Sequence, residues 1–337
     1  MKRLLAVAVL LAVFACGGCS KPEGQAGSQP GGGQPAAPKK LVIAVIPKGT
    51  SHSFWKTVHE GAAKAGQELG VEVIWKGPIN DNDREAQIKI MEDFTSRGVD
   101  GIGLAPLDDT ALRMSVQNAV RGGIPVVIFD SDLKSEDYVS FVATDNYHCG
   151  VMAGEEMVRL LGGKGRVLML RTQEGSASTT LREQGFLDTI AKSPEIKVIS
   201  SNQYGGVTVE TAYRASENLL SPLRQADDTL AVEGIFCPNE PTVFGMLRAI
   251  QDSGAAGKVK FIGVDTSTAL LDAMRKGQVD ALVSQDPRNM GYLAVKTMVD
   301  HLKGQKVERR IDTGATLITR ANIDTPEIQA LTAPPKD

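Results

Sequence analysis

The sequence has no excess of charge of either sign and little that could form a membrane span. Its 337 residues carry 37 Lys and Arg against 40 Asp and Glu, a formal net charge of −3 at pH 7. Because binding to a nucleic-acid backbone depends on positive charge, this near balance disfavours a dedicated nucleic-acid-binding protein. The longest apolar run, Leu4 to Phe14, has 11 residues, whereas about twenty are needed to cross a bilayer as a helix. The mature chain is therefore not expected to span a membrane.

Motifs of common catalytic sites are also lacking. The sequence contains no G-x-S-x-G nucleophile turn, no H-E-x-x-H zinc motif and no Walker loop, and its four histidines show no metal-ligand spacing. Gly101-Ile102-Gly103 lacks the third glycine of a dinucleotide-binding turn. Asp130 and Asp265 could serve as the two carboxyl groups of a glycoside hydrolase, but no other motif supports that chemistry. We therefore expect a protein that is not an enzyme and that holds neither a cofactor nor a metal ion.

The N-terminus has the features of an export signal. Lys2 and Arg3 precede the apolar run, and small residues and cysteine follow it. Two cysteines, Cys16 and Cys19, end this region, and each follows a small residue, as in a bacterial lipoprotein signal. We expect residues 1 to 19 to contain a lipoprotein signal peptide, with lipid attached to Cys19 or Cys16. A cleaved secretory signal with two incidental cysteines is the alternative.

Residues 20 to 40 are predicted to form a flexible tether. Five Gly and four Pro lie between residues 21 and 40, and no apolar position recurs there at a regular spacing. With a lipid at its start, such a tether would hold a folded domain above a membrane surface. The expected location is therefore the periplasm or cell envelope.

Two further cysteines, Cys149 and Cys237, belong to the part of the chain that is expected to fold. They lie in different segments, and an oxidising compartment permits a disulfide without requiring one. The sequence leaves open whether they pair or are buried separately as small apolar residues.

From residue 41 onward, short apolar runs rich in β-branched residues alternate with longer amphipathic stretches. The runs predicted as strands are LVIAVI at 41 to 46, VEVIW at 71 to 75, VDGIGLA at 99 to 105, PVVIF at 125 to 129, RVLML at 166 to 170, IKVIS at 196 to 200, VEGIFC at 232 to 237, KFIGV at 260 to 264 and DALVS at 280 to 284. Because these runs are apolar on both faces, most should be central strands of parallel sheets covered by helices. Residues 84 to 97 show a helical pattern of apolar residues that Gly98 ends.

An internal repeat indicates two halves of one architecture. Residues 99 to 102, VDGI, recur as VEGI at 232 to 235, and each copy precedes a helix and a second strand that ends in aspartate, Asp130 or Asp265. A weaker repeat relates the helical stretches around Gly61 and Gly185. Two similarly wound α/β halves explain both repeats. A single large sheet is the alternative, but about 290 residues are long for one core.

Seven motifs occur in order between Leu41 and about Ile323: IPKGTSHSFWKTVHEGA, PVVIFDSD, SFVATDN, TLREQGF, IFCPNEPTVFGMLRAI, FIGVDTS and VSQDPRNMG. In this order they resemble the periplasmic sugar-binding proteins of ABC importers of the ribose-binding type. The resemblance implies an α/β fold of two similar doubly wound parallel-sheet lobes, joined by a three-stranded hinge, with a ligand cleft between them. The N-terminal lobe would comprise residues 41 to 144 plus 287 to 314, and the C-terminal lobe residues 145 to 286 plus 315 to 330.

Polar residues follow several predicted strands at the point where each strand ends. In doubly wound sheets this edge binds ligands. Carboxylates, amides and guanidinium groups suit sugar hydroxyls, which both donate and accept hydrogen bonds. The polar residues expected to bind ligand are Asp130, Asn239, Asp265 and Gln285, with Arg182 at the place where the resemblance puts a ligand-facing arginine. The alternatives are helix capping for the aspartates and Asn239, a hinge hydrogen bond for Gln285, and a surface ion pair with Glu183 or Asp188 for Arg182.

Phe54 and Trp55 lie at the predicted start of the first helix, and their faces are expected to sandwich the apolar face of a sugar ring, unless one packs in the core. His52 and Ser131 are expected to add polar contacts.

Ribose-type binders carry asparagine at the position of His52, arginine at Ser131 and phenylalanine at Val264. These differences argue against ribose itself. The acidic run Asp130-Ser131-Asp132 favours a polyol, another pentose or hexose, or a cationic ligand.

The resemblance implies an extracytoplasmic solute-binding protein that captures a monosaccharide or polyol by lobe closure and delivers it to an ABC permease, acting as a monomer. The alternative is a ligand-sensing subunit that docks on a membrane chemoreceptor or kinase. A transcriptional regulator is excluded, because an export signal and a tether stand in place of a DNA-binding headpiece.

Overall fold

Residues 40 to 227 and 229 to 335 are described by the computed structural model of the protein. The predicted signal region, Cys16, Cys19 and the tether up to residue 39 lie outside the described residues. Within the described ranges, no helix is both long and apolar enough to cross a membrane.

The first sheet contains six strands, and all of its strand pairs are parallel. Its strands are β1 (Val42–Ile46), β2 (Glu72–Trp75), β3 (Gly101–Leu104), β4 (Val126–Phe129), β5 (Ser140–Ala143) and β11 (Arg310–Asp312), in the order β11-β5-β4-β3-β1-β2. The helices of this lobe are α1 (Ser53–Leu69), α2 (Arg84–Arg97), α3 (Arg113–Arg121) and α9 (Pro287–Leu302). Val45 packs in a core with α1 and α9, whereas Ile46 packs in another with α2 and α3. The strand is therefore apolar on both faces because helices cover both faces.

The second sheet also contains six strands. They are β6 (Gly165–Arg171), β7 (Ile196–Tyr204), β8 (Gly234–Cys237), β9 (Lys260–Val264), β10 (Ala281–Gln285) and β12 (Ala315–Thr319), in the order β12-β10-β9-β8-β6-β7. The helices of this lobe are α4 (Asn146–Leu161), α5 (Ala177–Ile190), α6 (Val209–Leu220), α7 (Glu240–Asp252), α8 (Thr268–Arg275) and α10 (Pro326–Leu331). The pairs are parallel except that β12 runs antiparallel to β10.

The two sheets are wound in the same way. In each, the first strand of the half lies between the second and the third, as β1 lies between β2 and β3, and β6 between β7 and β8. The chain passes between the sheets three times, between β5 and α4, between β10 and α9, and between β11 and β12. The predicted fold of two similar parallel-sheet lobes joined by three crossings is confirmed.

Close helix contacts occur at glycines in both lobes. A Cβ atom added at Gly150 of α4 would lie 2.0 Å from the carbonyl oxygen of Arg182 in α5, and one added at Gly61 of α1 would lie 1.9 Å from that of Arg288 in α9. Only glycine allows the helix backbones to approach this closely. The contact between α4 and α5 therefore fixes the position from which Arg182 extends.

Cys149 in α4 and Cys237 at the end of β8 are both buried and both free. Burial raises the pKa of the Cys149 thiol to about 12 and raises that of Cys237 well above its ordinary value. Of the two arrangements that the sequence left open, the structure shows separately buried thiols.

Candidate functional site

Asp130 and Asp265 occupy equivalent positions in the two lobes. Asp130 directly follows β4 and Asp265 directly follows β9, and their N–H groups donate to the carbonyl oxygens of Val142 and Val283 in the neighbouring strands. Among the described residues they are the only non-glycine residues with positive φ, 62° and 77°. Such backbone strain persists where the surrounding structure imposes it, often at ligand sites. Neither residue is the N-cap of the next helix in the chain, because Asp145 caps α4 and Ser267 caps α8.

A cavity lies between the lobes at this end of the sheets and encloses about 450 Å³ of empty space, its open mouth included. Eight of the nine residues predicted to bind ligand line it: His52, Phe54, Trp55, Asp130, Arg182, Asn239, Asp265 and Gln285. The other lining residues, which were not predicted as ligand contacts, are Lys48, Asp81, Thr172, Gln173, Ser176, Ser178, Thr179, Val207, Glu240 and Pro241.

Ser131 is the predicted residue that does not line the cavity. It is fully buried, and its hydroxyl accepts a hydrogen bond of 3.1 Å from the N–H of Ser178 at the start of α5. Its side chain thus connects the two lobes, and the ligand contact expected from the sequence stays a prediction.

Arg182 is almost completely buried, with 2% of its surface exposed, and it points inward from α5. Its Nε donates to Asn146 Oδ1 at 2.8 Å and its Nη1 donates to the carbonyl oxygen of Pro238 at 2.9 Å. Nη1 also lies 4.0 Å from Asp265 Oδ1. The surface ion pair considered from the sequence does not form. Glu183 pairs with Arg171 at 2.7 Å, and Asp188 accepts hydrogen bonds from Tyr147 and Gln184.

Asp265 joins the strand ends of its lobe. Its Oδ1 accepts from Gln285 Nε2 at 2.7 Å, and its Oδ2 accepts from the N–H of Glu240 at 2.9 Å. Gln285 ends β10, immediately before the second crossing between the lobes. The carboxylate is therefore held by the neighbouring strand and by the first residue of α7.

Two buried polar atoms at this site have no hydrogen-bond partner within the described residues: Arg182 Nη2 and Gln285 Oε1. One is a donor and the other an acceptor. An unpartnered buried polar group costs about 1–3 kcal/mol, so such groups rarely persist without a function. A ligand hydroxyl can both accept from the arginine and donate to the glutamine.

Lys48 lies two residues after β1 and contributes a buried ammonium group. Its Nζ lies 3.0 Å from Asp130 Oδ2, and both side chains are 5% exposed. The same Nζ donates to Ser178 Oγ at 2.9 Å and lies 3.4 Å from Ser176 Oγ, both in the other lobe. Lys48 therefore neutralises Asp130 and bridges the lobes.

The two aromatic residues cannot sandwich a sugar ring, which corrects the expectation from the sequence. Phe54 and Trp55 contact each other edge to face, with centroids 4.9 Å apart and an interplanar angle of 81°, so no ring fits between them. Trp55 is only 3% exposed and packs in the core below the turn, where it also contacts Phe129. Phe54 is the more exposed ring of the pair at the cavity.

Asp81, from the loop after β2, supports the Trp55 ring. The indole N–H of Trp55 lies 3.2 Å from each carboxylate oxygen of Asp81, and His52 Nδ1 lies 3.9 Å away. Burial raises the pKa of Asp81, while the charges of His52 and Lys48 oppose that shift. A Cβ atom at Gly49 would lie 2.0 Å from Asp81 Oδ1, so glycine is needed for this loop to approach.

Asn239 acts as the cap of α7, the role that the sequence had left open beside ligand binding. Its Oδ1 accepts from the Thr242 hydroxyl at 2.7 Å and from its N–H at 3.4 Å, and it also accepts from the Thr172 hydroxyl at 3.1 Å. The residue still lines the cavity, so the capping role fixes its position there.

Comparison with known proteins gives a family match over most of the chain. Residues 43–306 match a family model described as "Periplasmic binding protein domain". The D-allose-binding periplasmic protein of Escherichia coli strain K12 is 29% identical over 272 residues, 78% of this chain and 85% of that protein. The ribose import binding protein RbsB of Haemophilus influenzae is 30% identical over 277 residues, 82% of this chain and 91% of that protein.

Solved structures with the same fold contain bound sugars. A carbohydrate transporter solute-binding protein from Agrobacterium radiobacter, in complex with D-arabinose, has a TM-score of 0.82 and 32% identity, and the match covers 88% of this chain and 99% of that one. An ABC transporter solute-binding protein from Agrobacterium vitis with bound D-fucose has a TM-score of 0.80 and 34% identity, with 86% and 99% covered.

Proposed function

Since this chain belongs to the periplasmic binding protein family, we propose that it captures a small carbohydrate, a monosaccharide or polyol, by lobe closure and delivers it to an ABC permease. The observation that carries the proposal is the pair of unpartnered buried atoms, Arg182 Nη2 and Gln285 Oε1, in a cavity that also contains Asp130 and Asp265. The relatives named for ribose and allose, and the neighbours with bound D-arabinose and D-fucose, support a sugar as the ligand.

The charges around the cavity argue against an acidic ligand. Within the described residues, Lys48 lies beside Asp130, and Arg182 lies near Asp265 and bonds to Asn146 and Pro238. Neither cation is therefore free to neutralise an acidic sugar or a sugar phosphate. A neutral solute with several hydroxyl groups needs no such counter-charge and can use the remaining donors and acceptors.

Closure of the two lobes is the proposed mechanism. The lobe boundaries are residues 41 to 144 plus 287 to 314, and 145 to 286 plus 315 to 330. Contacts such as that of Lys48 with Ser178 already join the lobes across the cleft. A ligand that touches both lobes stabilises the closed form because it binds the closed form more tightly than the open one. The three crossings between the lobes supply the hinge. The permease would then recognise the closed form.

A sugar panel tests this function. The purified protein is mixed with D-ribose, D-allose, D-arabinose, D-fucose and sugar alcohols, and binding is measured by thermal shift and calorimetry. We expect saturable binding of at least one of these solutes, a smaller radius of gyration in small-angle scattering, and no product. An unchanged melting temperature and an unchanged radius across the panel would contradict the proposal.

We also propose that the protein acts as a monomer at the cell envelope, held by a lipid on Cys19 or Cys16 through the tether of residues 20 to 40. The periplasmic location of the family and the sequence of the signal region support this. Metabolic labelling with a radioactive fatty acid tests the anchor. Of the variants Cys16→Ser and Cys19→Ser, only the one that removes the lipidated cysteine should lose the label. Unlabelled wild-type protein would rule the anchor out.

A further inference from the structure

Two helices that start at the cleft receive no cap from their own N-cap residues. His52 at the start of α1 and Ser176 at the start of α5 make no capping hydrogen bond with their side chains, and neither helix has an acidic residue in its first turn. The first N–H groups of a helix need partners, because no carbonyl oxygen precedes them. In each case a partner comes from the opposite lobe.

The cap of α1 is Glu240, which belongs to α7 of the other lobe. Its Oε2 accepts from the N–H of Phe54 at 3.0 Å and its Oε1 from that of Ser53 at 3.4 Å. The cap of α5 is the hydroxyl of Ser131, which accepts from the N–H of Ser178 at 3.1 Å. Both bonds join the lobes, so separation of the lobes removes both caps at once.

We propose that Glu240 is a positioning residue that caps α1 only when the lobes are together, and that it thereby couples lobe closure to the binding of one proton. This inference rests on the proposed function for its consequence in transport. Glu240 also connects the cap to the sugar site. Its own N–H donates to Asp265 Oδ2, and Phe54, whose N–H it accepts from, lines the cavity.

The surroundings of Glu240 set the direction of the coupling. Burial raises the pKa of Glu240 to about 7, the N–H groups of Phe54 and Ser53 and the charge of His52 oppose this shift, and the charge of Asp265 adds to it. The other charged groups that line the cavity are Lys48, Asp81, Asp130 and Arg182. In an open cleft the carboxyl group faces water, where its ordinary pKa is 4.5.

Between pH 4.5 and about pH 7, closure of the lobes should therefore be accompanied by the binding of one proton to Glu240. The closed form is favoured at acidic pH, loses stability as the pH rises through 7, and changes little above that point. One pKa unit corresponds to a tenfold change in the equilibrium, so pKa values of 4.5 and about 7 predict that sugar affinity falls by about 20-fold between pH 5.5 and 7.5. A purely structural contact would give no such profile.

The backbone N–H signals of Ser53 and Phe54 report on the proton without any sugar. Because the open cleft contributes when no sugar is present, we expect both signals in nuclear magnetic resonance spectra of the sugar-free protein to shift with a midpoint above pH 4.5 in the wild type and in Glu92→Gln, which makes the same change at an exposed site on α2. When sugar holds the lobes together, the midpoint should lie near pH 7. In Glu240→Gln the shift should vanish. An unchanged midpoint in Glu240→Gln, or no titration in the wild type, would overturn the proposal.

Calorimetry with D-arabinose from pH 5.5 to 8.5 tests the effect on binding. We expect the affinity of Glu240→Gln to be flat with pH, whereas Ser131→Ala, which removes the other cap without removing a titratable group, should bind more weakly at every pH and keep the wild-type slope. A wild-type slope in Glu240→Gln contradicts the coupling. If no sugar of the panel binds, the proposed function fails, and the N–H titration still decides whether Glu240 behaves as described.

Discussion

The ammonium group of Lys48 lies 3.0 Å from the carboxylate of Asp130, and each side chain is only 5% exposed. A buried ion pair adds little net stability, but removal of one partner leaves a buried charge without compensation. Because Lys48 also bonds to Ser178 of the other lobe, the pair belongs to the ligand cavity and to the contact between lobes.

Lys48→Met should therefore lower the free energy of unfolding by about 3 kcal/mol, since Asp130 stays buried without its counter-charge. Urea denaturation measures the change. Lys56→Met, an exposed lysine of α1, is the matched control and should stay within about 0.5 kcal/mol of the wild type. The double variant Lys48→Met/Asp130→Asn should regain part of the loss, and a double variant as unstable as the sum of the single ones would contradict this account.

Arg182 and Gln285 give the sharpest prediction for the sugar site. Arg182→Ala and Gln285→Leu should each weaken sugar binding by about 2 kcal/mol, roughly 30-fold, because a ligand hydroxyl then loses its buried partner. Asp265→Ala should do the same. Calorimetry with the best solute of the panel measures the loss, with Arg97→Ala on the surface of α2 as control. Wild-type affinity in both Arg182→Ala and Asp265→Ala would show that the site lies elsewhere.

The sequence predicted the central strands because their apolar runs are strong signals. All nine predicted strands form, and α2 ends at Gly98 with a left-handed C-cap as expected. Three strands were missed, namely β5, β11 and β12. In β11 and β12 most residues are partly or fully exposed, so their apolar pattern is weak. All three border a crossing between the lobes.

The candidate site was predicted where position follows from topology. Asp130, Asp265 and Gln285 follow strands, and the carboxyl ends of parallel strands meet at one edge. Asp81 and Glu240 were missed for a different reason. Asp81 reaches the cavity from a loop that fits only against Gly49, and Glu240 acts on a helix of the other lobe. Neither relationship leaves a pattern in the neighbouring residues.

The free thiols of Cys149 and Cys237 should be unreactive in the native protein. Burial raises the pKa of both, so almost no thiolate exists at neutral pH, and the thiolate is the reactive form. A protein with Cys16→Ser and Cys19→Ser should thus react with Ellman's reagent at both remaining thiols in urea and at neither in buffer. Rapid reaction of either thiol in buffer would contradict the structure.

The contact between α4 and α5 predicts an effect on binding from outside the cavity. In Gly150→Ala the new Cβ atom would lie 2.0 Å from the carbonyl oxygen of Arg182, which is backbone and cannot move without α5. We expect a loss of about 1–3 kcal/mol in the free energy of unfolding, as for other overpacked interiors. Sugar affinity should fall as well, because the displaced helix carries Arg182 away from the cavity.

Gly103→Ala is the matched control for this variant. Gly103 is also buried, but a Cβ atom there would have its nearest neighbours at 3.8 Å and beyond, which is ordinary van der Waals contact. The same added methyl group should therefore change stability by less than about 1 kcal/mol and leave binding intact. If Gly150→Ala and Gly103→Ala behave alike in urea denaturation and calorimetry, the helix contact does not position Arg182, because only the methyl group at Gly150 would meet the backbone of α5.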